Sequence, residues 1–531
     1  MGPAGTRFET ARRAAFEVAL CAVAAAWFWP FATANLMLAQ DEGVEATAAL
    51  QILGGRTLYA GIMQSVKLPV YLLALLFKAF GARLVVARLF ELCVCVLLAL
   101  AVHRFVARRT NAWFGLGAAA ASAAWSLPFW NIVGWDWEGI LLVVVSSAVF
   151  ARHLEAGAKW RLAMAGALCG VTFFFQPDSA LLAAAGFAAI LVLKRLVERA
   201  GGAGTSGAIA REVGALAAGF AGVVGSVAAV AAAAGFLGEM TRQMVAGPLG
   251  NFGFIGSRYI PFPIPPYARP AESWWYGADF VVFGVYLLPF AVLPVSAALT
   301  LRSLVSRDPR RWDDALVVVA GTVIFMQVFP RSDLQHYVFA LTGLSILLAW
   351  SLHRLGERFL PRPEGRAWRA APLAALLLPL VVFAADGVAK AVPQIRGPLV
   401  RSSFPALAGI RIPADREDEF RGIAKFLHSK GLRRGDEVLV LPADPILYFV
   451  IGIANPARHN CIDPGFHDEN DEREVVGVIE NKRLPWVIFK GWGTDKGFER
   501  YAPIVHAYLA GGYRPAGAFG AYTVLARGGV P

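Results

Sequence analysis

Apolar runs alternate along this chain with short polar connections, and the runs are too long and continuous for a soluble core. A membrane span needs about 20 apolar residues, and by that measure about eleven segments stand as candidate spans. They lie at roughly 15–36, 84–107, 113–131, 139–153, 161–175, 179–196, 213–237, 279–301, 314–329, 337–352 and 371–389. Several are short, which predicts tilted helices or hairpins there. A further apolar run from Val70 to Gly81 is too short to span. It predicts a helix lying in the membrane interface, opened by Pro69 at its first turn, with Lys78 reaching the headgroups. After about residue 390 the pattern changes. Asp415 to Ser429 has helical spacing, a helix follows Asp444-Pro445, and Phe498 to Leu509 reads as another. Glu437–Leu441, Trp486–Lys490 and Tyr522–Leu525 read as strands. This alternation predicts a small α/β domain.

Composition adds the class. Of 531 residues 57% are hydrophobic and only 17% charged, which excludes a soluble globule and predicts a polytopic α-helical membrane protein. The formal charge of +12 does not point to nucleic acid, because the basic residues sit in short clusters between apolar runs. Those clusters set orientation. Arg7, Arg12 and Arg13 precede the first span, Arg104, Arg108 and Arg109 follow the second, and every second connection after them is basic. The N-terminus is therefore expected in the cytoplasm, with 37–83, 131–138, 176–178, 238–278 and 330–336 outside. The chain divides into a membrane part, 1–390, and an extracytoplasmic α/β domain, 391–531. Four cysteines lie inside apolar runs, and Cys461 stands alone in the outer domain. Within that domain neither a phosphate-cradling glycine motif nor His/Cys metal spacing stands out.

Candidate chemistry gathers on the outer side. Asp41-Glu42-Gly43 follows the first span, and carboxylates beside hydrocarbon are either solvated or kept for chemistry. Two readings of the pair stand. It starts a helix running to Leu53 and closed by Gly54-Gly55, or it acts on a substrate. Trp135-Asp136-Trp137-Glu138 brings two more carboxylates to that side, either capping a span or joining the first pair. Arg331 is suited to a phosphate by paired donors or to snorkelling, and His336 donates to an anion or titrates near neutrality. The Pro-rich, aromatic 238–278 connection either covers a site or simply links spans.

The order of pieces over 37–92 resembles the membrane-embedded C-type (GT-C) glycosyltransferases. These pieces are the acidic pair Asp41-Glu42, then Tyr59, Lys67-Leu68-Pro69, an interfacial helix ending in Phe80-Gly81, and Ala87-Arg88-Leu89 entering the second span. The likeness is to the branch of protein O-mannosyltransferases, the lipid A aminoarabinose transferase and rhizobial-type lipopolysaccharide-core transferases, and it covers about 10–390. It implies a GT-C bundle of about eleven or more spans, interfacial helices in the first outer loop and an extracytoplasmic C-terminal domain. It also implies transfer of a sugar from a polyprenyl-phosphate carrier, with inversion, at the outer face of a bacterial cytoplasmic membrane.

By the same resemblance Asp41 is the catalytic aspartate and Glu42 its acidic neighbour, while Tyr59 and Lys67 bind substrate, Lys67 at the donor phosphate. Arg331 and His336 correspond to late-loop residues near that phosphate, and Asp136 and Glu138 to a second acidic motif. Lys-Leu-Pro departs from the commoner Lys-Pro and Lys-Gly-Pro forms. The carboxylates Asp41, Glu42, Asp136 and Glu138 are also the candidate ligands of a divalent cation, Mg²⁺ or Mn²⁺. The expected partners are a lipid-linked sugar donor, membrane lipids and an acceptor that is a lipid, glycan or protein. The alternative is a transporter or flippase of lipid-linked glycans. A transporter calls for ionisable residues near mid-bilayer, where this sequence offers Glu91 and, near the inner end, His103.

Overall fold

In the computed structural model of the chain, described here for residues 3–35, 39–63, 67–200, 206–246, 280–329, 334–359, 366–462, 467–493 and 497–529, each expected span falls on a helix. Those helices are α1 (Pro3–Ala32), α4 (Leu84–Ala107), α5 (Ala112–Ala124), α6 (Asp136–Ala156), α7 (Lys159–Phe173), α8 (Pro177–Ala200), α9 (Ser206–Ala233), α11 (Phe280–Val305), α12 (Arg311–Phe325), α13 (Leu334–Phe359) and α14 (Arg366–Ala391). Between α1 and α4 lie α2 (Ala39–Leu53) and α3 (Val70–Phe80), and a short α10 (Leu237–Thr241) follows α9. Among the described residues 8 helices are long and apolar enough to cross a membrane. The other three, α5, α7 and α12, have 13, 15 and 15 residues. At 1.5 Å per residue such helices reach about 20 Å, short of a hydrocarbon core of about 30 Å.

The span expected over 113–131 needs correction at its end. Helix α5 stops at Ala124, where Pro128 disfavours helical backbone just upstream. The Trp125 indole N–H donates instead to the Phe383 carbonyl of α14 at 2.8 Å. Residues 124–133 are buried throughout, so this irregular backbone is enclosed by protein rather than lipid.

Local signals set the outer-loop helices. Pro69 opens α3, Gly81 at φ 90° closes it, and the turn Gly54-Gly55 follows α2. One end of the bundle carries α2, α3 and the C-terminal domain. At the far end of α4, Arg104 pairs with Glu17 of α1 and Arg108 with Glu155 of α6.

The C-terminal domain is a four-stranded sheet in the order β3-β4-β6-β5, with β3 (Leu439–Leu441) parallel to β4 (Trp486–Lys490). Strand β6 (Tyr522–Arg527) runs antiparallel to both β4 and β5 (Tyr513–Phe519). A preceding pair, β1 (Leu399–Arg401) and β2 (Arg411–Pro413), forms a separate ribbon. Strand alternation sends Leu439, Leu441, Val487 and Phe489 to one face, under α17 (Glu469–Asn481) and α19 (Pro503–Gly512). Val440, Ile488 and Val524 face the other way, onto α15 (Ala414–Ser429) and α16 (Ile446–Ile451). Two expectations are corrected here. The helix over 498–509 breaks before Pro503 into α18 (Phe498–Tyr501) and α19, and β5, an edge strand containing Pro515 and Gly517, was not anticipated.

The inner face of this sheet shares one core with α2, α3 and the start of α4: Ala46, Leu58, Val70 and Leu84 lie in the same cluster as Phe420, Val440 and Ile446. Polar contacts fasten the seam. The Thr47 hydroxyl donates to the Pro445 carbonyl at 2.8 Å, and Arg56 donates to the Ala457 and Asn455 carbonyls at 2.7 and 2.6 Å. Gly43 sits at the closest approach, where a Cβ would lie 2.3 Å from the Ile446 backbone nitrogen. Gly43→Ala is therefore expected to destabilise the protein by about 1–3 kcal/mol through overpacking, read as a lowered Tm in detergent. An unchanged Tm would show that the seam yields without cost.

Candidate functional site

The site is built where α2, α4 and the N-terminus of α6 converge. Arg88, in the first turns of α4, is fully buried and donates to both carboxylate oxygens of Glu42 at 2.6 and 2.7 Å. Its remaining nitrogen donates to the carbonyls of Asn35 at 2.7 Å and Ala34 at 3.3 Å, just beyond α1. Asn131 grips the same chain end through the Phe31 carbonyl at 2.9 Å. Both Glu42 oxygens are occupied and the group is buried, a geometry that suits a structural part. This differs from its expected place as the acidic partner of Asp41. Asp41 itself is exposed in the first turn of α2. Glu45 lies one turn on, on the same helix face.

Glu45 is buried, and burial pushes its carboxyl up to about 8, with the nearby Trp135 N–H and Lys67 opposing the shift without reversing it. Asp136 and Glu138 lie in the first turn of α6, where the helix dipole favours carboxylates. The Lys67 ammonium donates to Asp136 Oδ1 at 3.4 Å and to the Gly134 carbonyl at 3.3 Å. The Gln176 amide donates to the same Asp136 oxygen at 3.0 Å and accepts from Gln327 at 2.6 Å. Gly139 makes room for this: a Cβ there would lie 2.5 Å from the Gln176 Oε1. Deeper in, Glu91 and Glu138 are both buried, and their carboxyl oxygens have no hydrogen-bond partner among the described residues.

The two ion pairs differ in kind. Glu42–Arg88 is short, bidentate and dry. Lys67–Asp136 is long, single and partly open, with side chains 30% and 22% exposed. A loose pair of that sort contributes little to stability and exchanges partners readily. Lys67 is thus a cation at the site that can trade a carboxylate for an incoming anion.

The expected site residues separate accordingly. Lys67, Asp136 and Glu138 come together, joined by Glu45, Glu91 and Gln176, while Asp41 stands at the exposed start of α2. Tyr59 is buried with φ 69°; its hydroxyl has no hydrogen-bond partner among the described residues, and burial pushes it above the usual phenol range. Arg331, the side chain of His336 and residues 247–279 of the Pro-rich connection lie outside the described residues. Among the described residues, no three of Asp41, Glu42, Asp136 and Glu138 bring carboxylate oxygens within 4.8 Å of one another. Such a group does occur in the C-terminal domain, as His459, Asp471 and Glu474. Its signal in the sequence was the Asp471/Glu474 spacing, one helix turn apart.

The helical bundle, the helices α2 and α3 and the docked α/β domain together make up a GT-C fold. In particular, the chain is similar to ArnT from Cupriavidus metallidurans. Against that protein bound to undecaprenyl phosphate the TM-score is 0.53 at 16% identity, covering 97% of each chain. Against its apo state the TM-score is again 0.53, at 15% identity over 98% of each chain. It is also similar to the Archaeoglobus fulgidus oligosaccharyltransferase in complex with Zn and sulfate, with a TM-score of 0.50 at 11% identity over 95% of this chain and 72% of that one. No family model matches the sequence, and no curated protein does.

Two outcomes follow. Arg88→Met strands the Glu42 carboxylate in the interior and is expected to cost about 3–5 kcal/mol, most of it recovered in Arg88→Met/Glu42→Leu, measured by thermal unfolding in detergent. Glu45 binds its proton more tightly folded, near 8, than unfolded, near 4.5. Its contribution is therefore full below pH 4.5 and is lost as pH rises toward 8. Glu45→Gln should flatten the fall of Tm over that range, and an identical slope in both proteins would mean that Glu45 titrates normally.

Proposed function

We propose that this chain is a glycosyltransferase that moves a sugar from a polyprenyl-phosphate donor to an acceptor hydroxyl at the outer face of a bacterial cytoplasmic membrane. The observation that carries this reading is the loose Lys67–Asp136 pair set among buried carboxyls at one end of a GT-C bundle. The acceptor oxygen forms its bond to the anomeric carbon as the bond from that carbon to the phosphate oxygen breaks, inverting the centre. The hydroxyl proton goes to a carboxylate acting as general base, a role assigned to Asp41. Negative charge grows on the departing phosphate, and Lys67 meets it after leaving Asp136. Asp136 stays held in place by Gln176 and takes the lysine back when the phosphate departs. Arg331 and His336 are assigned to the same phosphate on the resemblance of their loop. The polyprenyl tail gives the enzyme its reason to lie in the membrane, and the N-terminus is assigned to the cytoplasm by the basic connections.

A second reading has one observation in its favour. Glu91 and Glu138 are buried on helices long enough to span, as a transporter of lipid-linked glycans would require. Transfer from a panel of radiolabelled polyprenyl-phosphate sugars, by membranes with matched expression, separates the two. Wild type is expected to transfer label, with Asp41→Asn and Lys67→Met each slower by about 10²–10⁴-fold. Full activity in Asp41→Asn removes it as the base. Transbilayer movement of donor without transfer establishes the transporter.

A further inference from the structure

We propose that His459, Asp471 and Glu474 form a binding site for a divalent transition-metal cation, zinc foremost, at the seam between the C-terminal domain and the first outer loop. His459 is 5% exposed, and its Nε2 has no hydrogen-bond partner among the described residues. That nitrogen lies 3.8 Å from Asp471 Oδ1 and 3.7 Å from Glu474 Oε2, too far for a hydrogen bond. Two ligands on one tetrahedral zinc stand about 3.3–3.5 Å apart, so a shift of a few tenths of an ångström would bring the imidazole to that spacing from each carboxylate, and all three ligand atoms already lie within 4.8 Å of one another. An imidazole nitrogen with two carboxylates suits zinc better than Mg²⁺ or Ca²⁺, which prefer all-oxygen shells.

The surroundings are those of ligands held in place. The other oxygen of Asp471 accepts from the Asp468 backbone N–H at 3.1 Å, closing the capping box of α17. Arg458 grips Glu474 at 2.7 and 2.8 Å, which orients it and offsets part of its charge. Two acids and one guanidinium leave a net negative pocket, with room for a cation's charge.

The position gives the site consequence. The Met63 N–H donates to the Arg458 carbonyl at 2.8 Å, Met63 bridges to His459, and Arg242, beyond α10, reaches the Met63 sulfur at 3.5 Å. A bound ion therefore stiffens the point where the segment leading to Lys67 meets the outer domain. The test uses the full chain in detergent, purified with a tag lacking histidine, stripped with EDTA and dialysed against zinc. Wild type is expected to retain one equivalent by plasma mass spectrometry and to melt higher with zinc than with EDTA. His459→Gln and Glu474→Gln should each bind at least about tenfold more weakly, with an EDTA-state melt like that of wild type. Glu474, partly exposed, carries the comparison if the buried His459→Gln fails to fold. Wild type without bound zinc, or a Glu474→Gln variant with undiminished zinc, overturns the assignment.

Discussion

The end of the bundle that carries α2, α3 and the C-terminal domain depends on one buried ion pair. Arg88 joins three parts of the chain: the exit of α1 through the Ala34 and Asn35 carbonyls, the start of α2 through Glu42, and α4 itself. Two charges taken out of water are costly unless nearly all their hydrogen-bonding capacity is used, and here both carboxylate oxygens and three guanidinium nitrogens are engaged. The pair therefore specifies a geometry. With Glu42 fixed, Asp41 can only stand at the exposed first turn of α2, and Glu45 can only lie one turn deeper on the same face.

The second constraint is the concentration of carboxyls about one cation. Glu45, Asp136 and Glu138 lie near Lys67, whose hold on Asp136 is long and partly wet. An arrangement that served stability alone would have closed this pair as tightly as Glu42–Arg88. The contrast between a dry, bidentate pair and a loose one, on the same small stretch of chain, separates a pair that fixes the backbone from one that is free to open. It also explains why adjacent acids, Asp41 and Glu42, have opposite surroundings: successive helix positions are about 100° apart, so one faces solvent and the other the core.

What was legible in the sequence was whatever local chemistry dictates. Pro69, Gly81 and the Gly54-Gly55 turn mark the outer-loop helices, and α4 has the bounds that its apolar run predicts. Lys67 and Asp136 were visible as candidates because charges beside hydrocarbon stand out. Their neighbours were not. Glu45 reads as an ordinary polar helix position, Gln176 as a turn residue, and nothing near Glu42 announces that its partner is Arg88, 46 positions along. The triad of His459, Asp471 and Glu474 is hidden for the same reason: its imidazole comes from a loop and its acids from α17. The early end of α5 follows from Pro128, but the partner of the Trp125 indole, the Phe383 carbonyl on α14, was not legible.

The outer domain looked in the sequence like a separate soluble module, and its packing argues otherwise. A free-standing domain would end its core at its own helices. Here α15 and α16 lie on the inner face of the sheet and the same cluster continues past them into α2 and α3, so the domain and the stretch before α4 are halves of one core. Gly43 is the point of contact, and it lies beside Asp41 and Glu42 in sequence and on the helix that carries them. Any movement of the outer domain must therefore be felt by α2, and through Glu42 by Arg88 and the end of α1. The domain acts as the outer wall that holds the acidic helix at its depth, and the physical link between them is van der Waals contact too close to admit a single methyl group.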